Sequence, residues 1–185
     1  MGNEIRLKFK NITISGGVAV GKNTLHNALK PYLEPLGWTF TSGGQLLRDF
    51  TKEYVQPVAS LAPDNFHHQL DKRTTDLLEK GNIVIEAWLA GFMAREKSDT
   101  LRVLLICNND ALRIDRVANR DKVSIEQAKR YIKEREEGNF IEWRRIYGDY
   151  NFFAPEYYHL IIDTYSHGPQ ETAQKVLHEL YEISK

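Results

Sequence analysis

A glycine-rich turn lies between a short β-branched segment and a segment with the apolar spacing of a helix. Residues 16–22 read Gly-Gly-Val-Ala-Val-Gly-Lys and follow Asn11–Ser15, whose composition predicts a strand. After Lys22, apolar residues recur every three to four positions as far as Leu36, as they do on one face of a helix. A strand that enters a glycine turn and leaves as a helix is typical of a parallel α/β sheet.

The same turn has the spacing G-x-x-x-x-G-K, which is typical of a phosphate-binding loop, or P-loop. Its glycines allow backbone N–H groups to point into one concavity, and Lys22 would reach the outer phosphates. Asn23 stands where a Ser or Thr hydroxyl commonly ligates Mg²⁺, so Thr24 or a water molecule must serve instead. The alternative is a glycine-rich turn with a chance lysine, and the register of strand, loop and helix argues against it.

Strand and helix patterns alternate along the rest of the chain. Segments such as Ile83–Ile85 are apolar on both faces, which indicates buried parallel strands. Predicted strands cover residues 11–15, 38–41, 83–85, 101–107 and 159–163, and predicted helices cover 22–36, 45–54, 63–80, 110–121, 124–147 and 169–183. We therefore expect an α/β fold in a single domain over residues 1–185, a P-loop NTPase-type parallel sheet of about five strands flanked by helices.

Composition limits the partners and the compartment. The 185 residues include 25 Lys and Arg and 25 Asp and Glu, so no basic excess favours nucleic acid or anionic lipid. Cys107 is the only cysteine, which excludes an internal disulfide. The charged start lacks the apolar run of a signal peptide, and no stretch approaches the roughly 18 apolar residues of a membrane span. We expect a cytoplasmic protein that contacts neither membrane nor nucleic acid.

A few isolated side chains carry weaker signals. Cys107 ends a predicted strand and is expected to be a small core residue. His67 and His68 lie on a predicted helix without any partner at metal-ligand spacing, so we expect them at its surface and not as metal ligands. His26 follows Thr24 closely; the alternatives are an approach to the P-loop and an exposed helix face, and we expect the exposed face.

The remaining motifs narrow the class of P-loop protein. The strand at 101–107 is followed by Asn-Asn-Asp-Ala, and not by the Asn-Lys-x-Asp that a GTPase uses to read its base. Glu86 is a single acidic residue at the end of a predicted parallel strand, where ligand-facing groups commonly lie. It would hold an Mg²⁺-bound water or an acceptor hydroxyl. The alternative is a carboxylate that caps a neighbouring helix.

Arginines recur along two consecutive predicted helices. Arg113, Arg116 and Arg120 have the spacing i, i+3 and i+7, which puts them on one helix face. Arg130, Arg135, Arg144 and Arg145 follow on the next helix. Arginines on a hinged helical pair over residues 112–147 would suit a lid that closes over phosphoryl groups. A solvated face paired with acidic neighbours such as Glu136 is the alternative, and the P-loop favours the lid, for Arg116 and Arg120 especially.

Taken together, the motifs resemble those of the cytidylate kinases, in the short-insert subfamily of P-loop nucleoside monophosphate kinases. The similar patches run in order along nearly the whole chain. They are residues 12–24 with the P-loop and its G-K-x-T order, 42–48 (similar to S-x-G-x-x-x-R), 70–73, 79–91, 113–120, 124–137, 147–148 and 160–164.

The resemblance implies Mg²⁺- and ATP-dependent phosphorylation of CMP or dCMP, with an acceptor-binding helical segment at about 42–80. It implies ATP-binding roles for Gly16, Gly17, Val18, Ala19, Val20, Gly21, Lys22, Asn23 and Thr24, and catalytic roles for Lys22, Arg116, Arg120 and Arg135. The acceptor-binding positions would be Ser42, Arg48, Arg73, Glu86 and Trp88, with Arg48 on the acceptor's phosphate. Thr24 or Glu86 would contact the metal through water, with no direct ligand assigned.

Three positions depart from the family pattern. Trp88 replaces an arginine that is expected to clamp the acceptor's phosphate, and an indole cannot act as a bidentate cation. Phe140 and Glu142 stand where further arginines are expected, and Arg144 or Arg145 would have to substitute from one or two turns later. Residues 149–158 are rich in aromatic side chains. They either fold back and pack on the core or form a stacking wall for a base.

Three functions follow from these observations. The first is a cytidylate-type nucleoside monophosphate kinase, and the second is a P-loop kinase with another small acceptor, which Trp88, Phe140 and Glu142 suggest. The third is a non-catalytic module that binds ATP. The sequence leaves open the base specificity and whether the chain is a monomer or a small homo-oligomer.

Overall fold

Five parallel strands form the central sheet of this computed structural model, which describes residues 6–50 and 64–182. They are β2 (Asn11–Ser15), β3 (Thr39–Ser42), β4 (Ile83–Glu86), β5 (Thr100–Ile106) and β6 (Leu160–Asp163). Their order across the sheet is β3-β4-β2-β5-β6, and every neighbouring pair is parallel. The α/β fold predicted from the sequence is therefore confirmed.

Helices connect the strands and cover the sheet. They are α1 (Lys22–Leu33), α2 (Gly43–Phe50), α3 (Asp64–Lys80), α4 (Ala90–Met93), α5 (Asp110–Asp121), α6 (Ile125–Tyr147) and α7 (Pro169–Leu180). Helix α1 follows the P-loop directly, as the sequence predicts. Residues 51–63, which the predicted acceptor-binding segment includes, lie outside the described residues.

The central strand β2 lies at the middle of the core, and all five of its residues are buried. Its Ile12 and Ile14 are fully buried and pack in one cluster with Leu25 and Leu29 of α1 and Val176 of α7. Its polar residues Asn11, Thr13 and Ser15 are buried as well, on the other face of the strand. Burial on both faces is typical of parallel strands inside an α/β fold. This packing places the carboxyl end of β2 beneath the P-loop.

Two predictions near the carboxyl terminus need correction. Ile161 is 40 % exposed, so β6 is not buried on both faces, because it lies at the sheet edge and has β5 as its single neighbour. The last helix ends at Leu180, whereas the sequence pattern predicts helix as far as residue 183. Strand β7 (Tyr181–Glu182) follows and pairs antiparallel with β1 (Arg6–Leu7), a pairing that the local apolar spacing does not encode.

Helices α5 and α6, over which the sequence predicts a lid, share a small apolar core. Val117 of α5 and Ala128 and Ile132 of α6 are buried together with Val18 of the P-loop. Helix α6 begins with a capping box: Ser124 Oγ accepts from the Gln127 backbone N–H, and the Gln127 side-chain oxygen accepts from the Ser124 backbone N–H. The two helices are thus packed on the P-loop.

The aromatic segment 149–158 folds back onto the protein. Phe152 is fully buried, and its ring contacts those of Phe92, Trp143 and Tyr147. Tyr158 is buried as well, and its hydroxyl donates to the Phe152 carbonyl at 2.8 Å. The segment is therefore part of the core, as the first of the two alternatives predicts.

Candidate active site

The P-loop has the backbone that the glycine spacing predicts. Gly16 has a φ of +142° and Gly21 a φ of +93°, both in the region that L-residues with a side chain rarely adopt. A Cβ on Gly16 would lie 2.4 Å from the Leu105 carbonyl oxygen of β5, so the loop passes too close to the sheet for any side chain. These glycines let the loop bend over the ends of β2 and β5 and enter α1.

Lys22 ends this loop as the first residue of α1, and its ammonium is largely buried. Its Nζ donates to the Gly17 carbonyl at 2.7 Å and lies 3.9 Å from Glu86 Oε1. Burial lowers the pKa of Lys22 from 10.5 to about 8, although the Glu86 carboxylate acts in the opposite direction. Burial also raises the pKa of Glu86, which Lys22 and Arg135 partly offset. The pair is a cation and an anion removed from water at the end of β4.

A cavity of about 380 Å³ opens beside the P-loop. It is lined by Gly21, Lys22, Asn23 and Thr24 of the loop and helix start, by Glu86, and by Arg116 and Arg120 of the lid. Thr164, His167, Pro169 and Thr172 complete the wall. Of these four, only Thr164 belongs to a segment that carries the family resemblance. His167 and Thr172 carry no motif, so only the tertiary structure identifies them.

Arg116 and Arg120 differ in how they are held. Arg116 NH1 donates to the Ala19 carbonyl at 3.0 Å and to Thr164 Oγ1 at 3.2 Å, which ties the lid to the P-loop backbone. Arg120 forms a two-bond pair with its neighbour Asp121, both at 2.7 Å, and its side chain is half exposed. Both line the cavity, but only Arg116 is fixed to the loop.

Trp88 lies between the P-loop and the aromatic core. Its ring centroid is 5.3 Å from Lys22 Nζ and 5.8 Å from Arg135 Cζ, and its edge packs on Trp143 at 5.4 Å. Each cation–π contact of this kind stabilises by about 0.5–2 kcal/mol. The indole therefore contacts two cations at the position where the family pattern has a third.

Arg135 reaches the same region from α6. One of its terminal nitrogens donates to the Tyr131 hydroxyl. Its Nε is buried and has no hydrogen-bond partner among the residues that the structure describes. A buried donor without a partner costs about 1–3 kcal/mol, so this nitrogen is available to an anionic ligand.

Arg113 and Glu136 have no specific role in the assignment made from the sequence. Arg113 Nε donates to the Val18 carbonyl at 3.1 Å, and its guanidinium also bonds to Glu136 Oε1. Glu136 Oε1 accepts from the Val18 backbone N–H at 3.0 Å. The sequence names Glu136 only in the alternative to the lid, as a partner of the arginines on a solvated face; the structure places its carboxylate against the P-loop backbone.

The residues assigned to the acceptor are not all brought together. Ser42 Oγ accepts from the Gln45 backbone N–H at 3.1 Å, as a cap at the start of α2. Arg73 is exposed on α3 and does not line the cavity. Arg48 belongs to α2, but its side chain lies outside the described residues. Glu86 and Trp88 are the two that adjoin Lys22.

The arginines proposed as substitutes on α6 pair elsewhere. Arg144 Nε lies 3.2 Å from Asp149, and Arg145 donates to Glu142 at 2.6 Å. Phe140 packs edge-on against Trp143 at 5.6 Å. In this structure neither Arg144 nor Arg145 lines the cavity.

Two of the histidines expected at the surface are buried. His26 is 8 % exposed and packs edge-on against Phe40, with ring centroids 5.2 Å apart, and His67 is 5 % exposed. His68 is exposed, and Cys107 is buried, as predicted. Helical spacing predicted these helices, but not which other elements pack against each helix face.

Among the described helices, none is both long and apolar enough to cross a membrane.

Sequence comparison identifies the family. The profile of the Cytidylate kinase-like family matches residues 38–166. The cytidylate kinase of Haloarcula marismortui is 31 % identical over 179 residues, which cover 94 % of this chain and 90 % of that protein. The cytidylate kinase of Pyrococcus abyssi is 34 % identical over 170 residues, covering 86 % and 87 % of the two chains.

Structural comparison supports the same fold. The shikimate kinase of Acinetobacter baumannii superposes with a TM-score of 0.59 at 19 % identity, covering 92 % of each chain. The parallel sheet and the loop define the P-loop kinase fold. The chain belongs to the cytidylate kinase-like family, and it is a kinase of the nucleoside monophosphate class.

Proposed function

We propose that this protein transfers the terminal phosphoryl group of ATP to a nucleoside monophosphate, CMP or dCMP, and releases ADP and the nucleoside diphosphate. The observation that carries the proposal is the buried Lys22 ammonium in a glycine loop that opens to a cavity of about 380 Å³. The cytidylate kinases to which the chain is similar support the choice of acceptor.

The reaction needs positioning and charge neutralisation more than acid–base chemistry. An oxygen of the acceptor's phosphate attacks the γ-phosphorus in line; its new P–O bond forms as the bond to the β–γ bridging oxygen breaks, and ADP leaves with that electron pair. Lys22 and Arg116 would hold the donor phosphates, and Arg135, whose Nε is buried without a partner among the described residues, would meet the transferred group. Arg120 would complete the lid once it exchanges Asp121 for a phosphate.

The residues fit a magnesium ion that is held mainly by nucleotide phosphates and water. Among the described residues no cluster of three His, Cys, Asp or Glu side chains could hold a metal by itself. Thr24 and Glu86 are oxygen donors on the cavity wall, which suits the oxygen preference of Mg²⁺. When bound, the ion would neutralise charge on the phosphate oxygens. We assign Thr24 and Glu86 as its contacts, through water.

A second candidate is phosphoryl transfer to a different small acceptor. Trp88 favours it, because its indole cannot clamp a phosphate as an arginine would. The ring instead contacts Lys22 and Arg135 and closes one side of the site with Trp143. Among the residues that the resemblance assigns to the acceptor, Arg48 and Arg73 are then the two cations that could bind an acceptor phosphate.

The test is ADP formation from ATP and Mg²⁺ with CMP, dCMP, UMP, AMP and GMP supplied separately. We expect turnover with CMP or dCMP and its loss in Lys22→Ala. Lys30→Ala, on the same helix, is the control for loss of an ammonium away from the loop. The absence of ADP formation with all five acceptors would contradict the proposal.

Trp88→Arg separates the two candidates. If the acceptor is a nucleoside monophosphate, Trp88→Arg keeps or lowers the KM for CMP. If wild type binds ATP but forms no ADP with any of the five acceptors, and Trp88→Arg gains turnover with CMP, the tryptophan redirects the site to another acceptor. ATP binding without turnover in either protein would instead favour a non-catalytic module.

A further inference from the structure

A carboxylate occupies the P-loop of this structure. Glu136 Oε1 accepts from the Val18 backbone N–H at 3.0 Å and from the Arg113 guanidinium. A backbone N–H of a glycine-rich loop and a guanidinium are the two kinds of donor that commonly bind phosphoryl oxygens. The site therefore already holds an anionic oxygen, supplied by the protein's own lid helix.

The loop is shaped to admit that oxygen. A Cβ built on Gly17 would lie 2.6 Å from Glu136 Oε1, so any larger residue at this position would close the space. Arg113 is held to the loop through a second bond, from its Nε to the Val18 carbonyl at 3.1 Å. That bond does not involve Glu136, so the guanidinium would stay in place if the carboxylate left.

The charges around this position belong to the phosphate site. The Glu136 carboxylate is close enough to Lys22 to raise its pKa, while Arg113 and Arg135 lower it. Arg135, next to Glu136 in sequence, contacts Trp88 on the proposed acceptor side. The Glu136 carboxylate thus acts electrostatically on Lys22, the residue that would hold the donor phosphates.

An ordinary lid ion pair looks different on the same helix. Glu137 lies 4.0 Å from Lys133 one turn earlier, and both side chains are more than half exposed. The Arg113 and Glu136 side chains are only 14 % and 25 % exposed, and Glu136 also bonds to the loop backbone. An exposed ion pair such as Glu137 with Lys133 contributes little to stability. Glu137 is therefore a matched control for Glu136.

We propose that Glu136 occupies, in the nucleotide-free protein, the position of the terminal phosphoryl group of ATP, and that Arg113 exchanges Glu136 for that group when ATP binds. The inference rests on the proposed ATP site. It makes Arg113 a further phosphoryl-binding residue and makes Glu136 an internal competitor of the triphosphate. ATP must displace the carboxylate, and this displacement removes the hydrogen bond between Glu136 of α6 and the loop backbone.

Because Glu136 competes with ATP, the apparent Kd for ATP equals the intrinsic Kd divided by the fraction of protein in which the loop is free. One charge-assisted hydrogen bond corresponds to a change of roughly tenfold in a binding constant. Glu136→Gln keeps the shape of the side chain and removes its charge. We therefore expect Glu136→Gln to bind ATP about tenfold more tightly than wild type, and ADP with a change of less than about threefold, since ADP has no terminal phosphoryl group at this position.

The experiment is calorimetric titration of the full chain with ATP and with ADP, in Mg²⁺ and without acceptor. It compares wild type, Glu136→Gln, Glu137→Gln and Arg113→Gln. Glu137→Gln is expected to match wild type for both nucleotides. Arg113→Gln is expected to weaken ATP binding more than ADP binding, because the terminal phosphoryl group loses its guanidinium.

The sign of the Arg113→Gln effect is the sharpest result. If Arg113 only holds Glu136 in the loop, its removal would tighten ATP binding as Glu136→Gln does, and the proposal would be wrong. Unchanged ATP affinity in Glu136→Gln, or an equal gain for ATP and ADP, would also overturn it. Because no acceptor is present, those results leave the proposed turnover intact. Failure of all four proteins, wild type included, to bind ATP would overturn both this proposal and the proposed kinase function.

Discussion

Lys22 shows how one buried charge sets the chemistry of the loop. Its ammonium lies against a carbonyl, a carboxylate and an indole, and water is largely excluded. Burial is the main reason that its pKa falls to about 8. A phosphate would restore the charge balance that burial disturbs, because a nearby anion favours the charged form of the amine.

We predict that ATP affinity falls as the pH rises above about 8. In the free protein an increasing fraction of Lys22 is then a neutral amine, and ATP binding must take up a proton, so the Kd rises by up to about tenfold per pH unit. Calorimetry in buffers of different ionisation enthalpy measures that proton uptake directly.

Two variants test the assignment to Lys22. Lys22→Arg keeps its charge over the whole range and should give a flat profile. Glu86→Gln removes the anion that raises the pKa of Lys22, so the fall should begin at a lower pH. A wild-type affinity that stays constant to pH 9.5 would contradict titration of Lys22 as the cause.

Helix α6 carries several functions along its 23 residues. Its capping box begins the helix, Ile132 packs on Val18 of the P-loop, Arg135 and Glu136 face the phosphate site, and Trp143 enters the aromatic core. A helix is stiff over this length, so its start and its site residues move together. Helix α6 therefore contacts both the P-loop and the aromatic core.

The capping box gives a prediction for this element. Ser124→Ala removes the acceptor for the Gln127 backbone N–H, and we expect the free energy of unfolding to fall by about 1 kcal/mol. Denaturant titration measures the change. Ser166→Ala is the control, because the Ser166 bond to Asp163 uses its backbone N–H, and it should stay within about 0.5 kcal/mol of wild type. Equal effects of the two substitutions would contradict a capping role.

Across the whole molecule, two apolar regions hold the site from opposite sides. The sheet core places β2 and α1 beneath the P-loop, and the aromatic cluster around Phe152 joins α4, α6 and the segment that leads into β6. Trp88 belongs to the cluster and also contacts Lys22. Loss of the cluster would therefore disturb the acceptor side of the site as well as the fold.

Phe152→Ala measures this contribution. Phe152 is fully buried, so we expect its truncation to lower the free energy of unfolding by about 3–5 kcal/mol. Phe153→Ala, at a half-buried neighbour in the same cluster, should cost less. Thermal and denaturant unfolding check both. A loss below about 1 kcal/mol at Phe152 would show that the segment is not part of the core.

The P-loop, the five strands of the parallel sheet and the longer helices followed from the amino-acid sequence by itself, because glycine spacing and apolar periodicity act between near neighbours in the chain. The position of the Glu136 carboxylate did not follow from the sequence. Its partner Val18 is 118 residues away, and the two residues meet only where α6 packs on the loop. His26, Ile161 and β7 were misjudged for the same reason: burial and pairing depend on which element lies opposite. Local spacing determined the elements, and packing between distant elements decided which side chains share the site.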